Sequence, residues 1–423
     1  MPILFKIILS LLLIMLVQHF SRNLLMAISA GTILLAFWAG HSIHSFGAVV
    51  AANFWSKNSF DTYMLLLMIL LIIWLSSQLS VSGVMNDLTR SVTGVFSRRT
   101  AIAILPALIG MLPMPGGALF SAPLVDDCDE RKEIPPLLKT KINFWFRHIW
   151  EYWWPLYPGV ILAIAITGFD PALFMATMFP MTLLSIAIGY FFFLRKIPKE
   201  ENKPRGRYKD VLLPLLPLVV LLISYVIIQL VCPIIGEKSR YLPMGIGVAA
   251  AMVSQQLLRP LPLWKWLNIM SSRKAFFMVG IIAVIRVYGA FIQAELPNGE
   301  NIIAQLRTEM AGFGIPPLLL IILLPFIASL ASGIAVGYVG ASMPIVMQLA
   351  GNDASTAQTV ATAVLAYGSG YTALLLSPIH VCLVVTNEHF GTGLLTSIRR
   401  MLLPSLVLFA GICLWAFFIW KIL

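Results

Sequence analysis

Asn143, Arg147 and Glu151 recur every four residues in the segment NFWFRHIWEYWWPLYPG (143–159), so on a helix they share one face. His148 precedes Glu151 by three residues, and Pro155 and Pro158 interrupt any helix that carries them. Ionisable side chains inside a membrane are costly and face a cavity, a partner or a substrate. At such a depth the planar fork of Arg147 can hold a carboxylate in bidentate fashion. His148 and Glu151 can carry a coupling proton. A second reading stands beside this one: an interfacial segment whose Trp, Tyr and Phe form an aromatic belt, with Arg147 snorkelling to head groups. A second interrupted segment, AYGSGYTALLLSPIHV (366–381), offers neutral donors and acceptors in Ser369, Tyr371, Thr372, Ser377 and His380. Hydroxyls and unwound carbonyls of this kind suit Na⁺.

Each of these segments follows a stretch rich in glycine and proline. GMLPMPGGALFSAPLVDD (110–127) places Pro113, Pro115, Gly116 and Gly117 between two short apolar runs. A helix cannot pass such a cluster undisturbed, and irregular backbone survives at membrane depth only where protein or a watery cavity covers it. The pattern predicts a re-entrant hairpin, with a kinked spanning helix as the alternative. GIAVGYVGASMP (333–344) repeats the spacing: Gly116, Ser121 and Pro123 match Gly337, Ser342 and Pro344, 221 residues later. Interrupted segments at corresponding positions of two halves point to a transporter's binding site. Asp126 and Asp127, just after the first hairpin, are further coupling candidates. The run DDCDERKE (126–133) that contains them otherwise reads as a solvated turn.

The elements that must position these residues are membrane helices. Of the 423 residues 59% are hydrophobic and 11% charged, with mean hydropathy +0.90. Soluble domains carry about 25% charged residues, so this is an all-α polytopic membrane protein. The net charge of +11 reflects basic loops on one side of the membrane and not nucleic-acid binding. Apolar runs fall near 3–19, 23–40, 60–80, 150–167, 171–193, 211–232, 241–258, 275–293, 356–385 and 401–420, in addition to two hairpins near 100–129 and 315–349. Residues 195–210, with seven Lys and Arg, read as a cytoplasmic linker. With the linker inside, Lys and Arg divide 22 inside to 6 outside.

The linker separates two repeats, 1–194 and 211–423. Each holds five transmembrane helices, one hairpin and one broken helix, near 139–167 and 356–385. An odd number of crossings makes the second repeat inverted. Two amphipathic faces precede the hairpins and predict helices lying flat at the interface: Val84, Leu88, Val92, Val95 and Phe96, then Ile302, Ile303, Leu306 and Met310. The four cysteines, Cys128, Cys232, Cys382 and Cys413, show no metal-ligand spacing and read as small core residues. No metal and no cofactor is expected beyond a coupling ion, Na⁺ or H⁺.

PMPGGALFSAP and NFWFRHIWEYWWP resemble an uncharacterised integral membrane family of the ion-transporter superfamily, related to divalent anion, citrate, gluconate and C4-dicarboxylate carriers. The resemblance covers nearly the whole chain. It implies two inverted repeats and an elevator movement of the hairpin units against a scaffold. Carried over, Gly116, Gly117 and Ser121 form one tip, and Gly337, Gly340 and Ser342 the other. The tips here lack the Ser-Asn-Thr motif of the dicarboxylate carriers.

The expected function is secondary active transport of a small anionic solute across the inner or plasma membrane, by a multi-pass protein embedded in lipid. The expected solute site comprises Pro115, Gly116, Gly117, Ser121, Asn143, Arg147, Gly337, Gly340, Ser342, Ser369, Tyr371 and Thr372. Ion coupling falls to His148, Glu151, Ser377, His380, Asp126 and Asp127. Export of an amino acid or similar metabolite is one alternative; an intramembrane enzyme or lipid-handling protein is another. An enzyme requires a nucleophile–base pair, and none stands at helical spacing. Monomer and homodimer both fit the sequence.

The inverted arrangement predicts opposite faces for Asp170 and Lys203. Single cysteines at these positions, in a background without the native four, should react with an impermeant maleimide from opposite sides of the membrane. Labelling of both from outside contradicts the topology.

Overall fold

The computed structural model describes residues 2–56, 59–112, 117–129, 131–197, 207–294, 302–351 and 354–422. Pro115, Gly116 and linker residues 198–206 lie outside the described residues. Among the described residues every regular element is helical. The first half contains α1 (Ile3–Ser21), α2 (Leu24–Trp38), α3 (Ile43–Phe54), α4 (Ser59–Val81), α5 (Val84–Val95), α6 (Arg98–Gly110), α7 (Ala118–Asp127), α8 (Pro136–Arg147), α9 (Pro158–Thr167) and α10 (Pro171–Phe192). The second contains α11 (Tyr208–Val231), α12 (Pro233–Lys238), α13 (Leu242–Leu258), α14 (Leu263–Met270), α15 (Arg273–Gln293), α16 (Ile302–Gly312), α17 (Pro317–Ser332), α18 (Ala335–Leu349), α19 (Thr356–Leu376), α20 (Val381–Phe390) and α21 (Leu394–Ile422).

Among the described residues seven segments are long and apolar enough to cross a membrane: Ile3–Ser21, Ser59–Val81, Pro171–Lys196, Lys209–Val231, Leu263–Gln293, Thr356–Phe390 and Leu394–Lys421. The sequence reading expects ten. The difference lies in the runs near 23–40, 150–167 and 241–258, whose helices α2, α9 and α13 have 15, 10 and 17 residues. At about 1.5 Å per residue none of these matches a hydrocarbon core of about 30 Å. α9 is short because the Pro155–Pro158 interruption starts it late.

Packing sorts the helices into two groups. α2 and α4 pack on α15, and α4 also on α13, which lies along α11. Buried amides join these helices across the halves: Gln78 Nε2 donates to the Met252 carbonyl at 3.0 Å, and Gln255 Nε2 to Ser82 Oγ at 2.9 Å. The second group gathers α6–α10 and α17–α21. Here α7 and α8 pack against α20, α9 against α18, and α10 against α21, so the interrupted segments of one half lie on those of the other. The amphipathic faces are buried, Val84, Leu88, Val92 and Val95 on α5, and Ile302, Leu306 and Met310 on α16. α16 meets α17 at 109°. The side chain of Ile303 lies outside the described residues.

The turn after α7 corrects one expectation. Asp126 and Asp127 are exposed, and Asp126 pairs with Lys139 at 2.6 Å, away from the interior. Asp129 in the same run is buried. Its carboxylate accepts from Arg98 and Lys139, both at 2.9 Å, and from the backbone N–H groups of Glu133 and Ile134. Burial alone raises the Asp129 pKa; the Lys139 hydrogen bond and the two backbone donors outweigh it and hold the carboxyl below its ordinary value. A lowered pKa makes its contribution to stability fully present above the unfolded-state value and lost as pH falls through the folded one.

Asp129→Asn should therefore lower the thermal stability of the detergent-purified protein strongly, on the order of 3–5 kcal/mol, because it removes the buried carboxylate between Arg98 and Lys139 and leaves them only the exposed Glu133 and Asp126. Glu133→Gln, at a half-exposed partner of Arg98, should cost no more than about 1 kcal/mol. Equal melting temperatures for the two variants in calorimetry would contradict this assignment.

Candidate functional site

Two interruptions meet at the centre of the second helix group. α8 ends at Arg147, the chain turns through His148–Tyr157, and α9 restarts with Pro158 in its first turn, where the missing N–H costs nothing. α19 ends at Leu376, and α20 restarts at Val381 after Ser377–His380. Both breaks free backbone groups that water cannot reach, so other helices must supply partners.

The first break is served from both directions. Tyr371 donates its hydroxyl to the His148 carbonyl, Tyr367 to the Glu151 carbonyl at 2.6 Å, and Thr182 to the Ile149 carbonyl at 2.5 Å. In return the aromatic residues of the break serve the end of α6, whose last carbonyls have no helical partner. Trp150 Nε1 donates to the Ala107 carbonyl at 2.8 Å, Trp154 Nε1 to Met111 at 2.9 Å, and the Tyr157 hydroxyl to Gly110. Tyr152 and Trp154 are fully enclosed. These rings act as backbone donors inside the protein, unlike an aromatic belt.

The second break repeats the device on α17. Ser369 and Ser377 donate to the carbonyls of Ile322 and Leu330 at 2.7 and 2.9 Å, and His380 Nδ1 donates to Gly333 at 2.7 Å. The chain reverses between α17 and α18 at Gly333, in the left-handed region at φ +64°. A Cβ at Gly333 would lie 2.9–3.1 Å from Ile379 and the His380 nitrogen, so the turn between α17 and α18 sits on the second break.

Between the breaks lies a polar centre. Arg147, His148, Glu151, His380 and Cys382 are all buried. A Cβ at Gly110 would overlap the Arg147 carbonyl, and one at Gly117 the Arg147 guanidinium, so the end of α6 and the start of α7 close on this arginine through glycines. The Nε2 atoms of His148 and His380 face each other at 3.0 Å, and Glu151 Oε1 lies 3.8 Å from His148 Nε2. Ligand atoms of His148, His380 and Cys382 all lie within 4.8 Å of one another. Asn143 Nδ2 donates to Thr386 Oγ1 at 3.0 Å, one turn below.

Of the residues singled out by sequence, Gly117, Arg147, His148, Glu151, Tyr371 and His380 meet here. Ser121 is buried on α7, its hydroxyl without a hydrogen-bond partner among the described residues. The others are placed elsewhere. Ser342 and Thr372 donate to their own helices, at Tyr338 and Gly368. Gly337 and Gly340 lie within α18, Gly337 against Ser332 and Gly340 against Ile285 of α15, after the turn at Gly333. Sequence reasoning missed Cys382, Tyr157, Tyr367 and Gly333. Only Gly333 carries a local signal, a glycine directly after an apolar run.

No curated protein matches the sequence. The chain belongs to the family described as "Protein of unknown function (DUF401)", which matches residues 3–419. Its fold is similar to that of the YdaH transporter of Alcanivorax borkumensis, whose crystal structure has an unusual topology. The two share 15% identity and a TM-score of 0.57, over 90% of this chain and 88% of that chain. At that identity the likeness is one of fold.

The two tip glycines should respond differently to a methyl group. Gly117→Ala meets the far end of a side chain, so the melting temperature should change little while Arg147 is displaced. Gly333→Ala meets backbone and a left-handed φ, at about 1–2 kcal/mol for the conformation alone, so it should melt clearly lower. A Gly117→Ala variant as destabilised as Gly333→Ala would mean that Arg147 has no freedom to move.

Proposed function

We propose that this member of the family is a secondary active transporter of a small anionic solute in the inner or plasma membrane, with Arg147 as the anchor of the solute and the His148–His380–Glu151 cluster as the seat of the coupling cation. The observation that carries the reading is the meeting of both breaks and both hairpins at one buried point. The likeness of fold to a transporter supports it. A guanidinium enclosed by protein attracts an oxyanion strongly because little water competes for it. Breaks whose backbone is held by side chains line a site that can form and close without exposing unpaired groups to lipid.

The coupling ion is Na⁺ or H⁺, and the imidazole geometry favours the proton. A carbonyl can only accept, so His148 Nδ1 donates to Phe144 and His380 Nδ1 to Gly333. With both Nδ1 atoms protonated, two neutral rings would set lone pairs against each other at 3.0 Å. One proton between the Nε2 atoms removes that repulsion, and Glu151 offsets its charge.

The same device appears on both sides of the chain: side chains of the broken helix donate to carbonyls of the preceding hairpin arm, α8–α9 onto α6 and α19–α20 onto α17. This parallel supports two inverted repeats of the ion-transporter superfamily and an elevator movement in which the second helix group slides against the first. The chain is read as a carrier and not as an enzyme.

Uptake of radiolabelled organic anions into proteoliposomes, with imposed pH or Na⁺ gradients, tests the proposal. Arg147→Lys keeps the charge and loses the planar fork, so solute affinity should fall by about 1–3 kcal/mol. Glu151→Gln should retain most solute affinity and weaken the dependence of uptake on the proton gradient. Wild-type affinity in the lysine variant and unaltered coupling in the glutamine variant would together remove both residues from the site.

A further inference from the structure

We infer that His148, His380 and Cys382 form a binding site for a borderline-soft transition metal ion of the Zn²⁺ type, at the junction of the two breaks. This goes beyond the transport reading and does not depend on it. The ligands come from two distant parts of the chain, His148 directly after α8 and His380 and Cys382 where the second break enters α20, and all three are buried. Their donor atoms lie within 4.8 Å of one another.

The geometry fits an ion. Zn²⁺ binds imidazole nitrogen at about 2.0–2.1 Å and thiolate sulfur at about 2.3 Å, so two nitrogens of a tetrahedral site stand roughly 3.3–3.4 Å apart. The Nε2 atoms here are 3.0 Å apart and need separate by only a few tenths of an ångström. Both rings already carry the outer support that metal-bound histidines use, since each donates its remaining N–H to a backbone carbonyl, Phe144 or Gly333. That leaves both Nε2 lone pairs directed at the same gap. Cys382 lies in the first turn of α20, where the helix N-terminus favours a thiolate. Glu151, 3.8 Å from His148 Nε2, stands within reach as a fourth ligand.

The donor set selects the ion. Two imidazoles and a sulfur suit Zn²⁺ or Co²⁺ and are poor ligands for Mg²⁺, Ca²⁺ or Na⁺. A thiolate and the Glu151 carboxylate together neutralise a divalent ion, leaving Arg147 beside it as the net positive charge. A metal here would tie α8 to α20 through side chains of both halves. It would also take the lone pairs that the coupling proton uses, so metal and proton compete for one gap.

The test uses the full-length protein purified in detergent and stripped with a chelator. Elemental analysis after Zn²⁺ loading and desalting should give one equivalent per chain. Co²⁺ should produce a thiolate-to-metal charge-transfer band that disappears in Cys382→Ser. His380→Gln should weaken Zn²⁺ by at least about tenfold. Because a buried substitution can impair folding, a second measurement keeps Cys382 and replaces Cys128, Cys232 and Cys413 by serine. Saturating Zn²⁺ should then protect Cys382 from a membrane-permeant maleimide. The inference is overturned if the wild type holds no metal above background, if the charge-transfer band persists in a folded Cys382→Ser variant, or if Zn²⁺ leaves the labelling rate unchanged. Proteoliposome uptake is read separately, so loss of this site and loss of the transport reading are distinguishable.

Discussion

Backbone carbonyls and amides at membrane depth must find partners inside the protein, and the second helix group is arranged around that constraint. Each break gives up helical hydrogen bonds; side chains of other helices reach into the first, and at the second the break's own side chains reach out to α17. The repair is reciprocal at the first break: tyrosine and threonine hydroxyls reach in, while Trp150, Trp154 and Tyr157 reach out to the end of α6. Loss of the donor to Ile149, Glu151, Gly110 or Met111 takes away the partner of a carbonyl at the break, a cost of about 1–3 kcal/mol. The hairpin arm and the broken helix are thereby held as one unit in each half.

The same enclosure defines the electrostatics of the centre. Arg147 sits where water is scarce, between two glycines that let both hairpin arms approach it. The paired imidazoles beside it have their Nδ1 atoms committed to backbone, so their chemistry is confined to the gap between the Nε2 atoms.

The helical class and the interrupted segments follow from periodicity and from proline and are legible in the sequence, whereas the face expected for Asn143, Arg147 and Glu151 holds only for the first two, because α8 ends at Arg147 and Glu151 lies in the turn beyond it. The amphipathic faces of α5 and α16 follow in the same way. What sequence does not reveal is which of several small residues forms a tip. Gly337 carries the repeat spacing, yet the turn falls at Gly333, which has a positive φ and close contact with Ile379 and His380. Cys382 stands 234 residues from His148 and gains its meaning only when α20 packs on α8. Asp129 looks like its exposed neighbours Asp126 and Asp127 until Arg98 and Lys139 fold over it.

Trp150, Trp153 and Trp154 stand 5.5–6.4 Å apart, centroid to centroid, in the first break. Two of their indole N–H groups end on carbonyls of the hairpin arm, and the third on Thr182 of α10. Indole emission responds to the hydrogen bonding and polarity around the ring, and rings this close exchange excitation. The chain therefore carries its own optical sensor at the joint between the hairpin, the broken helix and α10. Any movement that parts these elements should change the colour or the polarisation of its light, with no dye attached.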